Sequence, residues 1–408
     1  MREPSSTGAT DLVVAFSFTP YVDTAAVVAA KRVREEGRAV DVVQNDMAPS
    51  RAQDPDLGRI ADDLVRRRTV LPTPTWFSSW KAVRAFADAG LEQVLRWDAE
   101  GPGYERLYSR AHWVPSHVLA ARVKAHRPHV RWVAEFSDPL SVHADGRERH
   151  APVEEGPLLD ELAANLREAG VGPPGDNLFL WAETLPYALA DELLFTNTNQ
   201  RDLMLSRISD AGLAARAAAR AVVRPHPTLP PAYYDLADPP VDLDPGRAHI
   251  GYFGNFYANR GLGTVLDALA ALPAAQRAQV QLHVHTEQGE KLVTAVAARG
   301  LEPQVSVRPF VGYLDFLALC RRMDVLLLTD ATTKGAFARN PFLPSKWSDY
   351  RGSGRPVWGV VEEGSPLSAQ ALDHRSPVKH TTAAVQVLAQ IVREAGRPSG
   401  QRSERPSV

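Results

Sequence analysis

Short apolar runs alternate with amphipathic stretches from residue 11 almost to the end of the chain. Such runs read as strands buried in a parallel sheet, and the stretches of period 3.6 between them as helices packed on it. Strands are predicted at 12–18, 39–43, 69–71, 105–108, 130–135, 193–196 and 221–223, with helices at 23–36, 76–97, 115–126 and 199–220. A second series has strands at 248–253, 280–285, 305–307, 325–328 and 356–360, followed by a helix at 382–395. Strand–helix alternation predicts α/β domains with parallel sheets. Between the two series, residues 235–247 are crowded with Pro and Asp and have no period, which marks a domain boundary.

The organisation expected is a disordered N-terminus (1–10), an N-terminal Rossmann-like domain (11–235), a linker (236–247), a C-terminal Rossmann-like domain (248–375), a C-terminal helix (376–396) and a disordered tail (397–408). The fold class is α/β: two Rossmann-like, doubly wound domains facing across a cleft. Ligands of such domains bind outside the carboxyl ends of the strands. The loops that matter are therefore those after strands, at 17–23, 109–115, 137–143, 254–260 and 329–346.

Composition narrows the function classes. At 408 residues the chain exceeds one ordinary core, and 44% hydrophobic with 23% charged residues is normal for a globular protein. A net charge of −2 gives no basic footprint for nucleic acid. The single cysteine, Cys320, excludes an intramolecular disulfide framework and fits a reducing cytoplasm; its apolar helical surroundings make it a core residue rather than a nucleophile. Residues 1–10 lack the layout of a signal peptide, and no apolar run is long enough to span a bilayer. Richness in Ala and Arg suggests a high-GC bacterial source.

The chemistry concentrates in two stretches of the second series. The first is Asn340-Pro-Phe-Leu-Pro344-Ser345-Lys346-Trp-Ser-Asp349-Tyr-Arg-Gly-Ser-Gly354-Arg-Pro356-Val357. Pro344 and Ser345 read as a helix start, Gly354 and Pro356 as its stop and the entry to a strand. A helix placed so aims backbone N–H groups and Lys346 at an anion, with Asp349 available for hydroxyl groups. A phosphate beside sugar hydroxyls is what a nucleotide-sugar offers. The second is Gly251-Tyr-Phe-Gly254-Asn255-Phe-Tyr-Ala-Asn-Arg260-Gly-Leu-Gly263. Here Gly254 admits close backbone approach and Arg260 offers a phosphate fork, although an ordinary strand–helix turn with a solvated Arg has the same outline. Neither the dinucleotide Gly-x-Gly-x-x-Gly nor a Walker loop is present.

Taken together, these stretches resemble the retaining GT-B glycosyltransferases of glycosyltransferase family 4 (glycosyl transferases group 1), in its Pro-Ser-Lys subgroup. Gly254-Asn-Phe-Tyr with Arg260-Gly-Leu looks like the family's glycine-rich phosphate loop, and Pro344-Ser-Lys346 with Asp349 and Gly354-Arg-Pro-Val like its donor-binding helix. Tyr108-Ser-Arg, Pro115-Ser-His117 and Trp132-Val-Ala-Glu-Phe-Ser-Asp138-Pro are similar to a weaker first-domain signature. The resemblance implies that Arg260 and Lys346 hold the donor diphosphate and stabilise the departing nucleoside diphosphate. Asp349 stands where the family's second Glu contacts ribose, and Gly254, Asn255, Asn340 and Ser345 complete the donor set. Two positions depart from the pattern: Pro341 replaces the first Glu of the pair, and Asn255 replaces an Arg common in the glycine loop.

In the first series, His112 follows a predicted strand and is a third catalytic candidate, against the alternative that it packs or caps. Asp23 and Asp138 are acceptor or cleft candidates, against helix or turn capping. Asp242-Leu-Asp244 reads as solvated linker rather than a metal site, and His283 with His285 as structural histidines. Trp76, Trp80, Val83 and Ala87 form a helical stripe for packing, with a membrane-surface face as the alternative.

The expected protein is a cytoplasmic enzyme, in one reading at the inner face of the membrane with peripheral membrane contact. It moves a hexosyl or related group from a nucleoside-diphosphate sugar to a hydroxyl of a saccharide, lipid-linked glycan or small molecule. Its setting is envelope polysaccharide, glycolipid or natural-product glycosylation. No cofactor, metal or nucleic acid is expected. The alternatives are a nucleotide-sugar epimerase or hydrolase on the same fold, and a non-catalytic nucleotide-sugar-binding partner subunit.

Overall fold

A computed structural model describes residues 8–257 and 259–395. Of the segments expected to be disordered, 1–10 and 397–408, residues 1–7 and 397–408 lie outside the described residues, as does residue 396 of the last helix; Ala9 is buried and donates its N–H to Asp41 Oδ1 at 3.3 Å. The chain separates into two units, Met1–Pro227 and Thr228–Val408.

The first unit is a parallel sheet of β1 (Asp11–Val14), β2 (Val40–Asn45), β3 (Val65–Leu71), β4 (Arg106–Ala111), β5 (Arg131–Phe136), β6 (Glu192–Phe195) and β7 (Ala221–Val223). The order is β3-β2-β1-β4-β5-β6-β7, so the direction of winding reverses between β1 and β4. Every residue of β1 and β2 is buried, as expected for strands covered on both faces. One face carries the helices Trp80–Glu100, Pro115–His126 and Leu178–Leu189 side by side, and Phe86, Trp132, Phe136 and Trp181 fill the core beneath them. The helix Thr24–Glu36 starts where predicted, with Asp23 accepting from the Ala25 N–H at 2.7 Å. It stops at Gly37, whose φ of 65° is left-handed backbone that favours glycine.

That same helix lays charge into the sheet. Glu135 of β5 is wholly buried and accepts from Arg32 Nε at 3.0 Å, Tyr108 Oη at 3.0 Å and Arg110 Nε at 3.4 Å. Burial alone would raise its pKa, but Arg32 and Arg110 reverse that and hold it at about 2. Arg110 Nη2 also lies 3.3 Å from His226 Nε2, which ties the end of the unit to its centre.

The second unit is a parallel sheet of β8 (Ala248–Phe253), β9 (Val280–His285), β10 (Val305–Arg308), β11 (Val325–Thr329), β12 (Val357–Val361) and β13 (His374–Pro377). Its order, β10-β9-β8-β11-β12-β13, reverses between β8 and β11. Leu282, Leu327 and Trp358 form its centre, with the helix Thr381–Ala395 packed against the helix Gly263–Ala271. Both units thus have the doubly wound Rossmann strand order, the first extended by a seventh strand, and the chain has the two-domain GT-B fold.

Several elements depart from the pattern reading. The helix predicted at 76–97 begins at Trp80, where Ser79 caps it, and Trp76 is left outside and 71% exposed. The helix predicted at 199–220 is two, Thr198–Ser206 and Ala211–Arg220, because Asp210 caps a new start at the Leu213 N–H, 2.8 Å away. The short edge strand β13 carried no apolar signal of its own. The division at Thr228 precedes the linker read at 236–247, since Thr228 and Tyr234 bond to the helix Lys346–Ser353 of the second unit. Among the described residues no helix is long and apolar enough to cross a membrane.

Candidate functional site

The second unit's site is built at its switch point, from the loop after β8 (residues 254–262) and the loop after β11 (residues 330–345). Diverging loops leave a crevice at this position in doubly wound sheets. The Thr332 N–H donates to the Asn259 carbonyl at 2.7 Å and couples the two loops. The helix Lys346–Ser353 follows, pinned to the end of β8 where the Phe253 N–H donates to Tyr350 Oη at 3.2 Å. Ser345 stands at its N-terminus without a side-chain cap, and Gly354 ends it with φ 72°.

Two cations meet here. Among the described residues, neither Arg260 nor Lys346 has an ion pair or a side-chain hydrogen bond, and Arg260 Nε is buried without a partner. Burial pushes the Lys346 ammonium below its ordinary pKa; Asp349 opposes this and Arg260 reinforces it. The two charges are therefore close and without an ion-pair partner among the described residues, offset only from a distance by Asp349 and Asp330, an arrangement that costs stability until an anion arrives. Gly254 donates its N–H to the His285 carbonyl at 3.0 Å. A Cβ there would meet nothing nearer than Tyr252 Oη at 3.6 Å, so no protein neighbour demands the glycine.

The remaining donor candidates are engaged with the protein itself. Asn255 donates to Glu287 Oε2 at 2.9 Å and accepts from Thr286 Oγ1 and the Glu287 N–H at 3.1 and 3.0 Å. Asn340 donates to the Ala331 carbonyl at 2.8 Å and to Glu362 at 3.0 Å, and accepts from the Phe342 N–H. Asp349 is buried and receives a hydrogen bond from Tyr313 Oη at 2.7 Å. Pro341 is buried.

Two carboxylates that the motif reading missed organise this edge. Glu362, just past β12, accepts from the Thr333 N–H and Oγ1, the Lys334 N–H and Asn340 Nδ2, all at 2.8–3.1 Å, and so shapes the loop ahead of Lys346. Asp330, just past β11, accepts from the Glu362 N–H at 2.9 Å and Ser365 Oγ at 2.5 Å, while its Oδ1 is buried without a partner. Burial pushes its pKa up to about 6, against the hydrogen bonds and the charge of Arg260. The available signal was an acid directly after an all-buried strand, at 325–330 and again at 357–362.

The first unit has its own switch point, between β1 and β4. His112 and Trp113 stand at the end of β4, with Phe16 stacked on Trp113 at 5.5 Å and Phe77 against His112 at 5.5 Å. His112 is partly exposed and makes no hydrogen bond among the described residues. Burial holds its pKa at about 4; Asp23 opposes this, and Arg110, Arg149 and Arg51 reinforce it. Asp23 caps its helix and pairs with Arg51 at 2.9 Å. Asp138 lies in the loop after β5, where its charge reaches Arg149.

His283 and His285 do not converge on a common ligand. His283 Nε2 lies 2.9 Å from His249 Nδ1, and His285 Nδ1 donates to the Pro309 carbonyl at 3.1 Å. Among the described residues no three His, Cys, Asp or Glu side chains group as a metal site. Cys320 is buried and free.

No protein-family model and no curated protein sequence matches the chain. Solved structures do. HepE from Anabaena, in complex with UDP-glucose, is 15% identical with a TM-score of 0.52, covering 94% of this chain and 93% of its own. The catalytic domain of starch synthase IV from Arabidopsis thaliana, bound to ADP and acarbose, is 8% identical with a TM-score of 0.58, over 97% and 94%. A Listeria monocytogenes protein assigned as a UDP-N-acetylglucosamine 2-epimerase is 10% identical with a TM-score of 0.52, over 95% and 90%. At these identities the likeness is one of fold.

Proposed function

We propose that this protein is a glycosyltransferase that moves a sugar from a nucleoside-diphosphate sugar to an acceptor hydroxyl. The observation that carries the reading is the pair of cations without an ion-pair partner among the described residues, Arg260 and Lys346, at the switch point of the second unit. A diphosphate supplies the missing negative charge, and HepE and starch synthase IV carry UDP-glucose and ADP on the same fold. Gly254 leaves room for close approach of the phosphates, and the uncapped N-terminus at Ser345 adds N–H donors.

In this reading the second unit binds the donor and the first binds the acceptor. As the bond to the anomeric carbon breaks, charge grows on the diphosphate, and Arg260 and Lys346 stabilise it without a metal ion. Retention of anomeric configuration and membership of family 4 are part of the proposal and rest on the sequence resemblance. So do the cytoplasmic setting, peripheral membrane contact and a role in bacterial polysaccharide, glycolipid or natural-product glycosylation. Asp349 reaches ribose only by sharing its carboxylate with Tyr313. His112, held neutral, serves as a hydrogen-bonding group rather than a charge.

The epimerase of the same fold supports a second reading, in which a nucleotide-sugar is rearranged or hydrolysed without an acceptor. One experiment separates the two. The protein is incubated with a panel of UDP-, ADP-, GDP- and dTDP-sugars, with and without pooled acceptors, and products are identified by mass spectrometry and NMR. Transfer is expected, and Lys346→Ala and Arg260→Ala are expected to abolish it with the fold intact. An acceptor-independent product establishes the second reading, and near-normal turnover in both variants overturns the site.

A further inference from the structure

The switch point of the first unit holds a guanidinium with no counter-charge in contact among the described residues. Arg149, in the long loop after β5, lies 5.4 Å over the ring of Phe77 and 5.3 Å over that of Phe179. Its Nη1 donates to the Leu140 carbonyl at 3.1 Å, and its Nε is buried without a partner. Nη2 makes no hydrogen bond, and no carboxylate forms an ion pair with Arg149 among the described residues. Asp138 and Glu183 favour its charge from outside contact distance, yet burial prevails and its pKa is lowered. Glu183 is committed to the Leu140 and Ser141 N–H groups and Ser141 Oγ. Arg51, which faces the same edge over Trp113 at 5.5 Å, is paired with Asp23. His112 beside Phe77 experiences three arginines, Arg110, Arg149 and Arg51, against one acid, Asp23.

We propose that Arg149 is a specificity residue for an anionic acceptor, one that carries a carboxylate or phosphate on a compact, ring-like body. Two aromatic faces hold the guanidinium plane in place, so little entropy is lost when Nη2 meets an oxyanion. The half-buried ring of Phe77, which packs edge-on against the buried Trp113, offers apolar contact to the body of the acceptor. That the ligand is an acceptor rests on the glycosyltransferase reading; that it is anionic rests on Arg149.

Calorimetry on the full chain tests this with three probes: methyl β-D-glucuronide, methyl β-D-glucoside and glucose 6-phosphate. The wild-type protein is expected to bind one or both anionic probes at least about tenfold tighter than the neutral glucoside, a typical effect for one charge-assisted contact. Which anion wins distinguishes a carboxylate from a phosphate source. Arg149→Gln is expected to erase the gap, and Arg149→Lys to restore part of it, since the charge returns without the fork. If Arg149→Gln fails to fold, Arg149→Lys alone decides, with a gap reduced but not abolished. Equal binding of all three probes, no binding at millimolar concentration, or a gap that survives in the variants overturns the inference. So does loss of nucleoside-diphosphate binding in Arg149→Gln with the acceptor probes unaffected. Failure of the donor reading registers separately, as nucleoside-diphosphate affinity indifferent to Arg260→Ala and Lys346→Ala.

Discussion

Replacing Lys346 by Gln separates a ligand-binding lysine from a structural one. The ammonium is partly buried, lacks any ion-pair partner among the described residues, and is held below its ordinary pKa by burial and by Arg260. Its folded pKa is depressed, so the charge weakens the free protein, and a neutral side chain of similar length removes that cost. The melting temperature of the free variant should therefore stay level or rise, by at most about 4 °C for a gain of up to about 1 kcal/mol in a unit of this size. Nucleotide binding should move the other way. One charge-assisted contact to a phosphate is worth about 1.5–3 kcal/mol, or roughly a 10- to 150-fold loss of affinity for the preferred nucleoside diphosphate. The corresponding nucleoside, which lacks phosphates, should bind the variant as well as the wild type. Calorimetry and thermal denaturation on the same preparations give all three numbers. A melting temperature lower by more than about 5 °C with unchanged diphosphate affinity would refute the reasoning, because it would make Lys346 a structural cation.

Three further outcomes are expected. Glu362→Ala leaves the Thr333 and Lys334 N–H groups without their acceptor; it should lower the stability of the second unit by about 2–4 kcal/mol in urea unfolding and weaken nucleotide binding through the loop ahead of Lys346. Glu135→Gln leaves Arg110 without its carboxylate and Arg32 with Glu35 alone, and should cost about 3–5 kcal/mol in urea unfolding, with no change in nucleoside-diphosphate affinity. His226 is held neutral by burial and by Arg110, at a pKa of about 3 against 6.5. The unfolded chain takes up this proton first as pH falls, so His226 subtracts up to about 1.4 kcal/mol per pH unit between pH 6.5 and 3. Asp330, pushed up to about 6, acts in the opposite sense from pH 6 downward. Urea titrations of His226→Gln at pH 6.5, 5.5 and 4.5 should show a shallower loss of stability toward acid than the wild type, and equal slopes would exclude this role.

The alternation of apolar runs and amphipathic stretches was enough to derive two parallel α/β units, because strands buried on both faces are predominantly apolar and the helices covering them are apolar on one side. Local chemistry was legible as well: Asp23 and Gly37 bound their helix, Gly354 ends another, and Arg260 and Lys346 stand out as cations beside glycine and proline. These signals lie within a few residues of one another, so sequence alone carries them. What the side chains face depends on residues far along the chain. Asn255 and Asn340 looked like ligand donors, yet their amides close loops on Glu287 and on Ala331 and Glu362. Asp349 looked free and meets Tyr313. Glu362, Asp330 and Arg149 carried no motif, and each gained its role from tertiary neighbours. Hydrogen bonds and uncompensated charge are properties of pairs brought together in space. The sequence could therefore name the two cations of the donor edge, whereas only the tertiary structure decided that they stand without an ion-pair partner among the described residues and that a third, Arg149, does so in the other unit.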